Sequence, residues 1–531
     1  MKHLGKMLTG IVAALASVAM AFALAPAAFA ATSHTITINE PDGQRASHTY
    51  EAYQVFKGTY DGNSKQLTGI TWGSGVDGNA LLTDLKADST IGKYFDKATD
   101  APTAAAAMAD ITSSSADAEA LAKVVAKHLT TTNYSTVLNG EKTNTITVDA
   151  DGYYFIKDVT ESLSNGDTYS KFMLEVAGGD VTITAKDSTT TSNKHVKETN
   201  DSVADTAEEN AGWRSVADYD MGDQVPFQLV GQVAADYGDY DTYYFEFDDT
   251  YNKDQLGEAK DVKVFVKGVQ LTKAQLTAAG YKLTQSEGSF TVALNDLKKI
   301  VDESGNPIVH PGDDISVEYT AELLTGANIG SAGNVNTSHI TFSNNPNNKD
   351  SKGKTPDHTT KVFTYQLVVN KVNEARHPLS GADFTLYKRD KSDGTYKAVP
   401  TSVDGKDLKT VSEDGTTFTF KGLDEGVYKL EETTTPKGYN KMSDVVFTIL
   451  STTNDDAQTL RGLSGDVTGG TAEFTPSVAD GSLTTTIQNN SGSILPSTGG
   501  MGTTVLYVGG AVLAVVACVG LAIRHNKRQN A

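Results

Sequence analysis

Short runs in which apolar and polar residues alternate follow one another along most of the chain, from "HTITIN" at residue 34 to "SLTTTIQN" at residue 489. Further examples are "DVKVFVKGV", "DISVEYTAEL" and "DVVFTIL", with turn residues between the runs. Because successive side chains of a strand point to opposite faces, this alternation predicts antiparallel strands with one buried face. Several such strands per hundred residues favour β-sandwiches, so the sequence predicts an all-β protein of tandem immunoglobulin-like sandwiches.

One stretch departs from the alternation. In "ADAEALAKVVAKHL", residues 116–129, Leu121, Val124, Val125 and Leu129 recur at helical spacing. This pattern is typical of an amphipathic helix. The sequence therefore predicts a helix added to the first domain.

Polar stretches at 186–193, 344–360 and 489–494 indicate the domain boundaries. They divide the chain into a first domain at 31–187, a middle domain at 188–360 and a third domain at 361–491. A chain of 531 residues is expected to hold a few domains, which agrees with this division.

The first and third domains share a weak internal repeat. "AYQVFK" resembles "DFTLYK", and "GYYFIKD" resembles "GVYKLEE". Both copies place an acidic residue at the end of a strand, Asp158 in the first and Glu432 in the third. The repeat predicts that the two domains use the same type of sandwich.

Both ends of the chain carry membrane signals. Residues 1–30 have a positive start, an apolar run and an "AFA" cleavage site, which is typical of a secretory signal peptide. Residues 492–531 hold "LPSTGG", an apolar run of about twenty residues and a basic tail, which predicts a membrane helix with a cytoplasmic end. The body of the chain is therefore expected outside the cell.

Composition excludes several classes of function. The single cysteine, Cys518, lies in the apolar C-terminal run, so the exported body has neither disulfides nor thiolate metal ligands. A net charge of −21 argues against a nucleic-acid partner. The histidines lack paired metal-ligand spacing, and no nucleotide or hydrolase motif is present, so we expect no metal, no cofactor and no enzymatic activity on external substrates.

The C-terminal signal resembles the cell-wall sorting signal of Gram-positive surface proteins. "PLSGADFTLYKRD" and "YKLEETTTPKGY" resemble the Cna-B-type domain, whose E-box pattern is matched by Tyr428, Leu430, Glu432, Thr433, Pro436, Gly438 and Tyr439. "ADYDMGDQVPFQL" and "TYEAYQVFKGTYDG" are similar to the middle and first domains of sortase-assembled fimbrial subunits. The resemblance implies the major, or backbone, pilin of a fimbria.

The resemblance implies two kinds of partner. A pilin-specific sortase would recognise Leu495, Pro496, Ser497, Thr498 and Gly499, cleave after the threonine and join it to a lysine of the next subunit. The family's lysine lies in a Tyr-Pro-Lys-Asn motif near the end of the first domain, where this chain reads "TAKD". Lys186 matches the family's acceptor lysine by position, and Lys194 and Lys197 are the alternative candidates.

The resemblance also implies intramolecular isopeptide bonds between lysine and asparagine. Burial favours the neutral amine that must attack, and a buried protonated carboxyl can shuttle protons. In the third domain Lys371 shares a strand face with Leu367 and Val369, Glu432 takes the catalytic carboxyl position, and Asn489 lies on the last strand, with Asn490 as the alternative.

In the middle domain the same reasoning gives Lys194, Asn344 and Asp249. Asp249 shares a strand face with Phe245 and Phe247, which would desolvate its carboxyl. The alternatives are Lys197 for the amine, Asn345 for the amide and Glu246 for the carboxyl. No lysine occurs in the first domain between Ala31 and Phe56, so we expect no such bond there.

Two functions remain open. The leading hypothesis is a covalent pilus shaft, whose partners are the sortase, further copies of the chain, tip or minor pilins and peptidoglycan. The alternative is a monomeric wall-anchored adhesin that binds a host protein or glycan. Only the polymer needs an acceptor lysine such as Lys186.

Overall fold

The computed structural model describes residues 33–39, 47–61, 63, 66–112, 115–130, 134–138, 143–163, 166–199 and 212–492. The predicted signal peptide, the sorting motif and the C-terminal apolar run lie outside these ranges. No helix in the described ranges is both long enough and apolar enough to cross a bilayer. The prediction of an all-β protein built of tandem sandwiches is confirmed.

The first group of elements contains two sheets and four helices. One sheet has the order β5-β1-β8, and the other has the order β3-β2-β6-β7, with β4 paired to β2. Its elements are β1 (His34–Asn39), β2 (His48–Asp61), β3 (Gln66–Trp72), α1 (Gly78–Ala87), α2 (Gly92–Phe95), α3 (Ala101–Met108), α4 (Ala116–Ala126), β4 (Tyr134–Leu138), β5 (Thr143–Val148), β6 (Gly152–Asp158), β7 (Met173–Ala177) and β8 (Val181–Thr184).

The predicted helix is present as α4 but ends at Ala126, because Leu129 instead forms a β-bridge with Val76. The apolar periodicity did not predict α1, α2 and α3, which are short. The starts of α1 and α3 depend on caps, since the side chains of Asp77 and Asp100 accept backbone hydrogen bonds there. Local capping therefore creates helices that hydrophobic spacing alone leaves undetected.

The second group is a sandwich of two larger sheets. Their orders are β10-β9-β12-β18-β14-β15 and β11-β21-β19-β13-β17-β16, with β20 paired to β19. The elements are β9 (Thr191–Glu198), β10 (Gly212–Arg214), β11 (Val216–Asp218), β12 (Gln224–Gln232), β13 (Phe245–Tyr251), β14 (Lys260–Val266), β15 (Val269–Gln270), α5 (Lys273–Ala278), β16 (Lys282–Ser286), β17 (Ser289–Leu294), β18 (Asp314–Glu322), β19 (Asn334–Ser343), β20 (Lys352–Lys354) and β21 (His358–Phe363).

The third group is a sandwich of two five-stranded sheets, β27-β28-β22-β33-β32 and β24-β23-β29-β30-β31, with a small β25-β26 hairpin. Its strands are β22 (Tyr365–Asn373), β23 (Asp383–Arg389), β24 (Tyr396–Ala398), β25 (Ser402–Val403), β26 (Lys406–Asp407), β27 (Lys409–Val411), β28 (Thr417–Leu423), β29 (Gly426–Thr434), β30 (Val445–Asn454), β31 (Thr459–Gly469), β32 (Phe474–Ser477) and β33 (Ser482–Asn489).

The first and last strands of the third domain, β22 and β33, are parallel neighbours. The first and last strands of the first domain, β1 and β8, have the same relation. In the same two domains β2 pairs with β6 and β23 pairs with β29, both antiparallel. The arrangement of these strands agrees with the internal repeat in the sequence.

Hydrogen bonds connect the first domain to the middle domain through residues 166–172. The backbone N–H of Tyr169 donates to the carbonyl of Asn344 at 2.7 Å, and that of Phe172 donates to Oδ1 of Asn347 at 3.2 Å. The middle and third domains meet at a second junction, where the Tyr365 hydroxyl donates to Asp218 at 2.7 Å. Polar contacts thus fix the positions of consecutive domains at both junctions.

Candidate sites for intramolecular and intermolecular amide bonds

In the third domain, Lys371, Glu432 and Asn489 lie together in the core, each at most 1 % exposed. The parallel pairing of β22 with β33 places Lys371 beside Ile487 and Asn373 beside Asn489. Lys371 Nζ donates to the carbonyl oxygens of Val372 and Ile487, both at 3.2 Å. The amine is therefore held against the strand that carries the asparagine.

Glu432 holds the asparagine amide. Asn489 Nδ2 donates to Glu432 Oε1 at 2.7 Å, and Glu432 Oε2 accepts from the backbone N–H of Met442 at 3.0 Å. Asn489 Oδ1 is buried and has no hydrogen-bond partner among the described residues. Asn490, the sequence alternative, is exposed and points away from this site. The carboxyl therefore contacts the nitrogen that would leave as ammonia.

Burial lowers the pKa of Lys371 to about 8, against the opposing effect of the nearby Glu432 charge. The neutral amine that nucleophilic attack requires is then far more populated near neutral pH than in an exposed lysine. The structure thus brings the sequence-predicted amine, amide and carboxyl of this domain into one apolar site.

In the middle domain the site centres on Lys194 and Asp249, whose side chains are fully buried and in direct contact. The Tyr319 hydroxyl donates to Asp249 Oδ2 at 3.0 Å and lies 3.4 Å from Lys194 Nζ. Burial lowers the pKa of Lys194 and raises that of Asp249, and in each case it outweighs the attraction of the partner charge. The site therefore favours a neutral amine beside a neutral carboxyl.

The amide at this site is Asn336, not the predicted Asn344. Asn336 is fully buried on β19, and its Nδ2 donates to the Tyr319 hydroxyl at 2.7 Å. Its Oδ1 is buried without a hydrogen-bond partner among the described residues, as is Asn489 Oδ1 in the third domain. Asn336 pairs across the sheet with Tyr251, two residues from Asp249.

Asn344 follows the far end of β19. The preceding Ser343 donates its backbone N–H to Tyr244, five residues before Asp249. At about 3.3 Å per residue, this places Asn344 roughly 16 Å from the Asp249 site. Asn344 instead accepts hydrogen bonds from Ser351 at its side chain and from Tyr169 at its carbonyl. Its role in the structure is to dock the first domain.

The remaining alternatives also lie away from the middle-domain site. Lys197 is exposed, with its ammonium 6.0 Å from the Trp213 ring. Glu246 is on the opposite face of β13 from Asp249, because strand side chains alternate. Asn345 Oδ1 caps a turn by accepting from the backbone N–H of Asn347.

In the first domain the basic residue beside Asp158 is His48. His48 is fully buried, and its Nδ1 lies 2.8 Å from Asp158 Oδ2. Its Nε2 lies 3.2 Å from Asp187 Oδ2. The internal repeat in the sequence indicates Asp158 but not this partner.

Of the three candidate acceptor lysines, Lys186 is half-buried, Lys197 is exposed and Lys194 is in the core. An enzyme cannot reach the Lys194 amine in the folded domain. Lys186 follows β8, between the buried Ala185 and Asp187. Accessibility therefore leaves Lys186 and Lys197.

One group of carboxylates in the described residues has the spacing of metal ligands: Asp220, Asp223 and Asp424. Lys388 Nζ lies 2.8 Å from Asp220 and 3.1 Å from Asp424. This ammonium already balances part of the charge of the three carboxylates. We therefore interpret the cluster as an ionic contact between the middle and third domains.

Residues 365–461 match the model of a SpaA domain with a prealbumin-like fold. The T6 backbone pilin of serotype M6 Streptococcus pyogenes, a modular three-domain protein, superposes with a TM-score of 0.52 and 15% identity, over 87% of this chain and 99% of that one. The full-length major pilin SpaD from Corynebacterium diphtheriae gives 0.47 and 17%, over 87% and 98%. A comparison with curated protein sequences finds no match. The match to the SpaA domain model and the superposition with the T6 pilin show that the chain has the fold of a Cna-B-type backbone pilin.

Proposed function

We propose that this chain is the shaft subunit of a covalently linked, wall-anchored surface pilus, stiffened by two intramolecular isopeptide bonds. The observation that carries the proposal is the recurrence of one constellation, a buried lysine, carboxyl and asparagine, in two successive sandwiches. A buried lysine is rare unless it is paired or used. The fold of the T6 backbone pilin supports the same reading.

The bond in the third domain forms by amide exchange. The neutral Lys371 amine attacks Cγ of Asn489, a new C–N bond forms, and the Cγ–Nδ2 bond breaks. Nδ2 leaves as ammonia and takes up the proton that the amine loses, with Glu432 as the relay at hydrogen-bond distance. In the middle domain Lys194 and Asn336 react in the same way, with Asp249 as the relay and Tyr319 holding the amide.

The bond between subunits is an exchange of peptide for isopeptide. A pilin-specific sortase breaks the Thr498–Gly499 bond and transfers the Thr498 carboxyl to the amine of Lys186 in the next copy. The match in position to the family's acceptor favours Lys186, which is partly exposed, over the more exposed Lys197, and burial excludes Lys194. Tip or minor pilins and peptidoglycan are the further partners that such a polymer requires at its two ends.

The intramolecular bonds lie where tension would pass. In a polymer the third domain is pulled from the start of β22 and from the end of β33, which are parallel neighbours. Such loading shears the hydrogen bonds between the two strands, each worth about 1 kcal/mol net. A Lys371–Asn489 bond carries the tension directly from one strand to the other and leaves residues 372–488 unloaded.

The assignment of Asn336 gives a direct prediction in mass. The purified exported chain should be lighter than its sequence by about 34 Da, because each bond releases one ammonia of about 17 Da. Asn336→Ala should reduce the deficit to about 17 Da, whereas Asn344→Ala should leave it at about 34 Da. The reverse result would restore Asn344 as the partner, and no deficit in the unmodified chain would refute both bonds.

The polymer itself is tested in wall extracts boiled in SDS. The unmodified chain should give a ladder of very large species, and Lys186→Ala should give only the monomer, still attached to the wall. Lys197→Ala is the matched control and should retain the ladder. A ladder that persists in Lys186→Ala and disappears in Lys197→Ala would move the acceptor role to Lys197. Monomer alone in the unmodified chain would favour the wall-anchored adhesin.

A further inference from the structure

A buried ionic cluster lies directly beside the proposed acceptor lysine. His48 contacts Asp158 through Nδ1 at 2.8 Å and Asp187 through Nε2 at 3.2 Å. The Tyr50 hydroxyl donates to Asp187 at 3.3 Å and shares a hydrogen bond of 2.6 Å with Ser170. The side chains of all three charged groups are fully buried, and Asp187 is the residue next to Lys186.

The cluster occupies the place that the covalent site has in the third domain. Asp158 pairs with Tyr50 across β6 and β2 as Glu432 pairs with Phe384 across β29 and β23. The segment that follows β8 corresponds to the end of β33, where Asn489 lies, because β8 and β33 each run parallel to their domain's first strand. In the first domain, contacts between charged side chains therefore form an ionic tie between the last segment and the core, where the third domain has a candidate amide bond.

This tie fixes the backbone on both sides of Lys186. Ala185 is buried and donates its N–H to the carbonyl of Asn39 at 2.8 Å. Asp187 is anchored by His48, and the Lys186 carbonyl accepts from Lys171 at 3.3 Å. Lys186 is thus a partly exposed residue between two buried side chains, and the backbone from which its side chain extends is held in place.

The charge on His48 maintains the tie. Burial alone would lower the pKa of His48, but the hydrogen bond to Asp158 and the charges of Asp158, Asp187 and Asp167 outweigh this and raise it above the ordinary value. The charged or polar groups around the His48 ring come from four places. They are Asp158 from β6, Asp187 from the segment after β8, Asp167 from the loop between β6 and β7, and Tyr50 from β2 itself. When the pH rises through this pKa, the carboxylates lose their counter-charge and repel one another.

We propose that the His48–Asp158–Asp187 cluster positions the acceptor lysine, by holding the segment from Ala185 to Asp187 in the geometry that sortase transfer requires. His48 and Asp187 are positioning residues, since neither donates nor accepts an atom in the transfer. The proposal rests on the proposed function, in which Lys186 receives the Thr498 carboxyl. The proposal adds that the rate of transfer to Lys186 depends on His48, a residue far from Lys186 in the sequence.

The test compares Asp187→Asn and His48→Gln with the unmodified full-length chain in cells that carry its sortase. Each variant should slow growth of the ladder by about ten-fold, the effect of losing one buried charged hydrogen bond. Amide hydrogen exchange on the purified chains should be faster at residues 185–190 and unchanged in β2 and β6. In the unmodified chain, the protection of residues 185–190, measured as exchange relative to the intrinsic rate at each pH, should fall as pH rises through the His48 pKa, and this fall should be absent in His48→Gln.

His34→Gln is the matched control, because His34 forms another close His–Asp pair of this domain, 2.6 Å from Asp151. It should leave the ladder and the exchange at 185–190 unchanged. If Asp187→Asn polymerises at the normal rate while Lys186→Arg does not polymerise, positioning is refuted and the acceptor assignment stands. If Lys186→Arg polymerises normally, the acceptor assignment fails, and the exchange data still decide whether the cluster orders the segment. If both cluster variants unfold β2 and β6, the cluster stabilises the domain as a whole and the positioning role is refuted.

Discussion

Glu432→Ala is expected to lower the melting temperature of the third domain by roughly 15–20 °C. The bond between Lys371 and Asn489 closes almost the whole domain into one loop, and crosslinks of loops near a hundred residues stabilise by about 4–5 kcal/mol. For a domain of this size each kcal/mol shifts the melting temperature by about 4 °C. Without the carboxyl the proton relay is absent, so the bond does not form.

Glu431→Ala is the matched control for this effect. Glu431 is the neighbouring residue on β29, but it lies on the outer face, where it pairs with Lys441 at 3.0 Å. A surface ion pair of this kind contributes about 0–1 kcal/mol, so the melting temperature should change little. Calorimetry and intact mass on the same samples link the two readouts. A Glu432→Ala chain that keeps the full mass deficit, or melts like Glu431→Ala, contradicts the assigned relay.

Limited trypsin digestion is expected to remove the first domain first and leave a resistant core that begins near Lys186. In a polymer joined from Thr498 to Lys186, tension crosses the middle and third domains only, and the first domain lies outside that path. Its tie is the ionic contact of His48, which lacks the strength of a covalent bond. The free energy needed to open the first domain locally is therefore lower than in the two crosslinked domains, and a protease cleaves the opened chain.

The last segment of the same domain, residues 185–187, should also respond to pH. A raised His48 pKa means that its stabilising effect is complete below the ordinary value of 6.5 and is lost as pH rises through the folded-state value. Because the lost contact holds the segment around Lys186, trypsin cleavage after Lys186 should release fragment 31–186 faster in mildly alkaline than in mildly acidic buffer, at matched trypsin activity. Survival of residues 31–185 while the third domain is digested would contradict the prediction that the first domain, which lies outside the path of tension, is the least stable.

The third-domain site could be predicted from the sequence because its evidence is local. The E-box places Glu432, and alternation places Lys371 and Asn489 on inward-facing positions of their strands. The middle-domain amine and carboxyl followed from the same parity. The amide did not, because Asn334, Asn336 and Asn344 have the same parity in the sequence. Only the register of β19 against β13 selects among them, and that register is a long-range property of the sheet.

The first-domain cluster was inaccessible to sequence reasoning for a similar reason. His48, Asp158 and Asp187 are far apart in the chain and belong to no motif. Residues 31–56 of this domain contain no lysine, and the sequence shows this directly. The sequence does not show which other basic residue the pairing of β2 with β6 places beside Asp158. Tyr319 was missed because alternation predicts its burial but not its contact with a lysine.

The central claim is a covalent polymer joined through one defined pair of residues, and tandem mass spectrometry of protease-digested, high-mass wall material tests it most directly. The account predicts a branched peptide in which the carboxyl of Thr498 forms an amide with Nζ of Lys186, and no peptide that continues from Thr498 into Gly499. Thr498 found only on peptidoglycan, with every Lys186 amine free, would contradict the account.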